Sequence, residues 1–210
     1  MVAHPSFNLV VQGISLLIGT ALATGCSAPL DPTQYRAYLA NPAHGFTQTQ
    51  EANGISVTCT YRPTDLLVSQ ELAQNANSTT SAQLDSVRRS YAGKTCFALA
   101  LAKDSTAIEN QFATNPTAFT QTLTYLSNGI AADVFLVTSP RDSVPALVSM
   151  YPRQYGNTPR STVLLIFDTH QLNLEQGFHL TFRSTAFNLG TLRFPFPAAT
   201  LADLPALKFN

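Results

Sequence analysis

Residues Thr95 to Ala102 read Thr-Cys-Phe-Ala-Leu-Ala-Leu-Ala, a stretch with no charge and only Thr95 carrying a hydroxyl. In a β-strand successive side chains point to opposite faces. A strand apolar on both alternate sets has no face to offer water. It must be central in a sheet, paired on both edges and covered on both faces. The rest of the chain has to supply its neighbours and its covering layers.

Ile55 to Tyr61 alternates apolar and polar residues and is rich in β-branched side chains, so it is predicted to be a strand with one wet face. Asn53-Gly54 marks the turn before it. Further strands are predicted at 132–138, 146–151, 162–168, 178–184 and 191–196, separated by turn residues at 139–142, 152–159 and 175–177. Short loops between successive strands favour an antiparallel meander. Apolar residues at three- and four-residue steps predict helices at 35–39, 63–75, 82–91, 105–113 and 116–126. A short last helix is expected at 198–204 and an edge strand at 207–209. The fold expected is α+β: a single antiparallel sheet of about six or seven strands, with helices from the first half packed on one face.

The front of the chain has a different character. No charged residue occurs from Phe7 to Ala23, and the apolar core of that run, Ile14 to Ala23, suits the ~7–15 residues of a signal-peptide apolar region. It is short of the ~20 apolar residues that a membrane-spanning helix needs. Ala23-Thr24-Gly25-Cys26 follows. This resembles the lipobox of bacterial lipoproteins, with the usual leucine one place early at Leu22 and no Lys or Arg among residues 1–8. The resemblance implies cleavage before Cys26, diacylglycerol on its thiol and an acylated new amino terminus. Ser27, rather than Asp, next to the cysteine implies sorting to the outer membrane by the enteric rule. An ordinary secreted protein cut near Ala23 or Ala28 is the other reading. The expected organisation is a signal peptide at 1–25, a lipid anchor and tether at 26–53, and one α+β domain at 54–210. The Thr-, Ser-, Asn- and Gln-rich composition after Cys26 also resembles that of Bacteroidetes envelope lipoproteins.

The 12 Lys and Arg balance the 12 Asp and Glu, and charged residues make up 11% of the chain, well below the ~25% usual in soluble domains. No basic stripe exists to follow phosphates, so no nucleic-acid partner is expected. Cys59 and Cys96 form an even pair in an exported chain, which fits a disulfide; two buried free thiols are the alternative. Asp168, His170 and His179 lie near the junction of two predicted strands and are either a metal site or an exposed hairpin end. Tyr151, Arg153 and Tyr155 lie in a polar, aromatic loop whose residue types carry binding energy at interfaces. Ser86, Ser105 and Ser143 each follow an aspartate and precede Val or Thr, which resembles a Bacteroidetes glycosylation motif. Glycine-rich phosphate loops, nucleophile elbows and zinc-protease motifs are missing, so neither a catalytic residue nor a cofactor is expected. The reading is a non-enzymatic, lipid-anchored envelope protein that binds a partner protein or glycan, such as an accessory subunit of an envelope complex. A metal-assisted hydrolase using Asp168, His170 and His179, and a carrier of lipid or another apolar ligand, are the alternatives.

Overall fold

The computed structural model describes Met1 and residues 28–74, 80–139, 142–152 and 158–209. The first half holds α1 (Pro32–Ala40), β1 (Thr47–Ala52), β2 (Ile55–Arg62), α2 (Thr64–Gln74), α3 (Ser81–Ser90), β3 (Lys94–Lys103), β4 (Thr106–Ala107) and α4 (Pro116–Thr124). The second holds β5 (Val134–Ser139), β6 (Asp142–Pro145), β7 (Val148–Met150), β8 (Ser161–Asp168), β9 (Gly177–Ser184), β10 (Gly190–Pro197) and α5 (Ala198–Ala202). The class is α+β and every pairing between these strands is antiparallel.

The expected single sheet is replaced by two. The larger has six strands, in the order β1-β2-β3-β8-β7 with β4 beside β3, and the smaller runs β10-β9-β5-β6. The chain leaves the first sheet after β4, starts the second at β5 and β6, returns for β7 and β8, and finishes in the second. Loop length therefore did not decide pairing: only Ala146 and Leu147 separate β6 from β7, yet these strands belong to different sheets.

β3 is central, as its composition demands, with β2 on one edge and β8 on the other. One set of its side chains, Phe97, Leu99 and Leu101, points into the space between the sheets, where it meets Leu180 and Phe182 of β9, Leu136 of β5 and Phe194 of β10. All seven are fully buried. Phe97 stands amid Tyr61, Phe167, Phe178 and Phe196, with ring centroids 5.4 to 6.0 Å away. Its opposite set, Cys96, Ala98, Ala100 and Ala102, is small. α2 packs on β3, α1 on β2, and α3 on α2.

The stretch expected to be tether is largely folded. Asp31 caps α1 through the backbone N–H groups of Thr33 and Gln34, and Gln34 returns the bond to Asp31. α1 buries Tyr35 and Leu39 in a second cluster with Phe46, Leu66 and Leu207. Leu30 forms a parallel bridge with Leu207, which takes the place of the expected last edge strand. β1, Thr-Gln-Thr-Gln-Glu-Ala, has no apolar face and is held by hydrogen bonds. Thr47 and Thr49 pair with Thr60 and Thr58 at 3.0 and 2.9 Å. Gln48 and Gln50 donate to the backbone carbonyls of Pro195 and Arg193 in β10, joining the edges of the two sheets.

The helix expected at 105–113 is also corrected. Asp104 and Ser105 both have positive φ, 50° and 58°, and turn β3 back into β4 as a two-residue hairpin loop. A 3-10 turn over Ile108–Phe112 follows. α4 runs on into a π turn, Tyr125–Gly129, that buries Leu126 against the core. No helix among the described residues is long and apolar enough to cross a membrane.

Candidate functional site

β8 ends at Asp168, and the next two residues are pinned rather than loose. The Thr169 backbone N–H donates to the Gly93 carbonyl at 2.7 Å, and its hydroxyl lies 3.0 Å from that of Thr95. This holds His170 over Gly93. A Cβ at Gly93 would fall 2.1 Å from the imidazole, and Gly93 has φ +67°. His170 Nδ1 lies 2.9 Å from Asp168 Oδ1, and the His170 backbone N–H donates to the same oxygen at 3.2 Å. These bonds hold the Asp168 carboxyl below the usual carboxylate range.

The pair borders a cleft of about 500 Å³ lined also by Val144, Pro145, Ala146, Leu147 and Gln171. None of these supplies a hydroxyl or thiol that the Asp–His pair could activate as a side-chain nucleophile. His179 stands elsewhere, on β9 opposite Val137 and Pro195. Burial, then the charge of Arg193, lowers its pKa from the ordinary histidine value. Among the described residues no three His, Cys, Asp or Glu side chains form a group able to hold a metal ion. The Asp168, His170, His179 metal site is therefore not formed: the two strands whose ends were expected to meet as a hairpin lie in different sheets.

The disulfide is corrected by the facing of the strands. Cys59 shares the core-facing set of β2 with Val57, while Cys96 lies on the opposite set of β3 from Phe97. Their β-carbons leave opposite faces of one sheet, a geometry no disulfide spans. Both thiols are free and buried. Burial raises both pKa values, that of Cys96 to about 11, so neither is a reactive thiolate.

Tyr151 does not stand free for a partner, as the aromatic-loop reading expects. Its hydroxyl donates to Glu109 Oε1 at 2.6 Å. Glu109 lies in the 3-10 turn after β4, is 7% exposed, and accepts a second bond on Oε2 from the Ser161 hydroxyl. Ser161 in turn accepts from the Ile108 backbone N–H at 2.8 Å. Sequence reasoning missed this buried network because its members lie 42 and 52 positions apart and match no motif. A cavity of about 20 Å³ beside it, lined by Tyr151, Thr158, Arg160 and Ser161 among others, has room for about one water. The network ties the 3-10 turn to β8, and Ser161 is too buried to meet a substrate. Arg153, Tyr155 and Cys26 lie outside the described residues.

Ser86, Ser105 and Ser143 are all exposed, on α3, in the β3–β4 turn and on β6. An open groove of about 800 Å³ runs along α4 and its π turn, lined by Thr117, Thr120, Gln121, Thr124, Tyr125 and Asn128 among others. Its lining is uncharged. The second sheet turns Phe178, Leu180 and Phe182 of β9 inward, which leaves His179, Thr181 and Arg183 on its outer face. Arg183 and Arg193 are exposed there.

No protein-family model, curated protein or solved structure matches this chain.

Proposed function

We propose that this chain is a lipid-anchored envelope protein that binds a partner protein or glycan and carries out no chemistry of its own. The observation that carries the reading is the run of uncharged residues ending in Ala23-Thr24-Gly25-Cys26, set immediately before a folded domain. Three residues separate Cys26 from Leu30, the first residue bridged to the domain. At most ~3.3–3.6 Å per residue, that span keeps Leu30 within ~14 Å of an acylated Cys26. Two or three acyl chains, at ~0.8 kcal/mol per buried methylene, hold a protein on a membrane durably. Ser27 favours the outer membrane as the destination.

Two observations support binding over catalysis. Among the described residues that line the Asp168–His170 cleft there is no side-chain hydroxyl or thiol, and the Glu109 network is closed around its own donors. A carrier of apolar ligands is less well supported, since phenylalanines fill the space between the sheets.

Cell fractionation tests the anchor. The wild-type protein is expected in the membrane pellet, released by detergent and not by high salt, with the Cys26→Ser variant soluble. A wild-type protein that washes off with salt, or a Cys26→Ser variant that stays in the pellet, would overturn the reading.

A further inference from the structure

The outer face of the second sheet carries two arginines, Arg183 and Arg193, that make no ion pair among the described residues. Arg183 lies opposite Thr191, Arg193 opposite Thr181, and His179 opposite Pro195 on the paired strands β9 and β10. Side chains two apart on a strand share a face. Arg193 therefore lies diagonally between His179 and Arg183, at the ~7–8 Å typical of such neighbours. β5, β9 and β10 contain no Asp or Glu. On β6 the acidic residue is Asp142, at the far end of the β5–β6 pairing, beyond the register shift between Val137 and Ser139. The chain as a whole is formally neutral, which makes this local imbalance a property of the face and not of the composition.

The chemistry of the face also limits the partner. Protein interfaces rely on aromatic or apolar anchors that enter desolvated pockets. The ring here, Phe135, is covered by the Arg183 guanidinium, 5.6 Å from its centroid. Thr181 is buried, and Thr191 on β10 and Ser143 on β6 are exposed hydroxyls. What remains is a diagonal pair of exposed arginines on β9 and β10, suited to a hydrated chain with repeated negative charges.

We propose that the outer face of β9 and β10 binds an acidic polysaccharide through Arg183 and Arg193. This deepens the reading of the chain as a binding protein and rests on it. The guanidinium groups meet carboxylates in charge-assisted hydrogen bonds, and Thr191 offers a hydroxyl to the sugar ring.

The test uses the full mature protein in detergent micelles, titrated into labelled polygalacturonate. Neutral dextran, polyglutamate and phosphatidylglycerol vesicles serve as parallel probes. Polygalacturonate is expected to bind and dextran not to bind. The double variant R183Q/R193Q should weaken binding at least tenfold, whereas R183K/R193K, which keeps the charge, should retain most of it. R36Q/R89Q removes the same charge from α1 and α3 and should change affinity less than twofold. Three outcomes would overturn the proposal: no binding of polygalacturonate, equal losses in the two glutamine variants, or tighter binding of polyglutamate or vesicles. Each leaves the fractionation result untouched, so anchor and ligand fail separately.

Discussion

Single residues in this protein are fixed by contacts far from them in sequence. Gly93 is the clearest case. It combines a positive φ with the closest approach of a side chain to any described glycine, the His170 ring. Alanine there is expected to cost ~1–2 kcal/mol from backbone conformation alone, plus the clash. In urea denaturation the Gly93→Ala variant should be markedly less stable. Adding His170→Ala should recover the clash but not the backbone cost. A Gly93→Ala protein as stable as wild type would contradict this geometry. His179 gives a prediction in pH. Its folded pKa lies below the unfolded one, because burial and Arg193 disfavour the charged ring. The stability it contributes is present above the unfolded pKa of ~6.5 and is lost as pH falls through that value toward the folded one. Arg193→Gln should raise the pKa of the ring, read by NMR titration, without restoring the ordinary value, since burial remains the larger cause.

At the scale of elements, the Glu109 network ties the 3-10 turn after β4 to β8. Ser161→Ala removes one donor from a buried carboxylate and the acceptor of the Ile108 N–H. Leaving such groups unpaired costs ~1–3 kcal/mol, expected as a lower urea midpoint with little change in slope. An unchanged midpoint would mean that the network contributes nothing. Elements whose signal is local were legible in the sequence. β2, β3, β8, β9 and β10 end within about two residues of expectation because alternation or a continuous apolar run marks them. The invisible ones depend on partners. β1 has no hydrophobic period, and its glutamines make sense only against β10. The false helix at 105–113 came from Ile108 and Phe112, whose four-residue spacing imitates a helical face, although the positive φ of Asp104 and Ser105 commits the chain to a hairpin.

For the whole molecule, apolarity on both faces of β3 specified that two layers exist but not what they are. One is the second sheet, since strands that alternate in sequence can close over a neighbouring sheet as readily as extend it. The same ambiguity undid the metal site, which needed β8 and β9 to be neighbours in one sheet; the disulfide failed instead because Cys59 and Cys96, on paired strands, face opposite sides of one sheet. The cationic face was legible only in part. The arginines and the acid-free strands could be read, but their shared orientation follows from the pairing of β9 with β10.

The central claim is that this two-sheet domain is held at a membrane by its first mature residue. Intact-mass spectrometry of the membrane-extracted protein tests it most directly. The account predicts a chain beginning at Cys26 and carrying diacylglycerol plus an acyl chain, with two free thiols at Cys59 and Cys96 that alkylate only after unfolding. A chain of unmodified mass, beginning anywhere else, would contradict it.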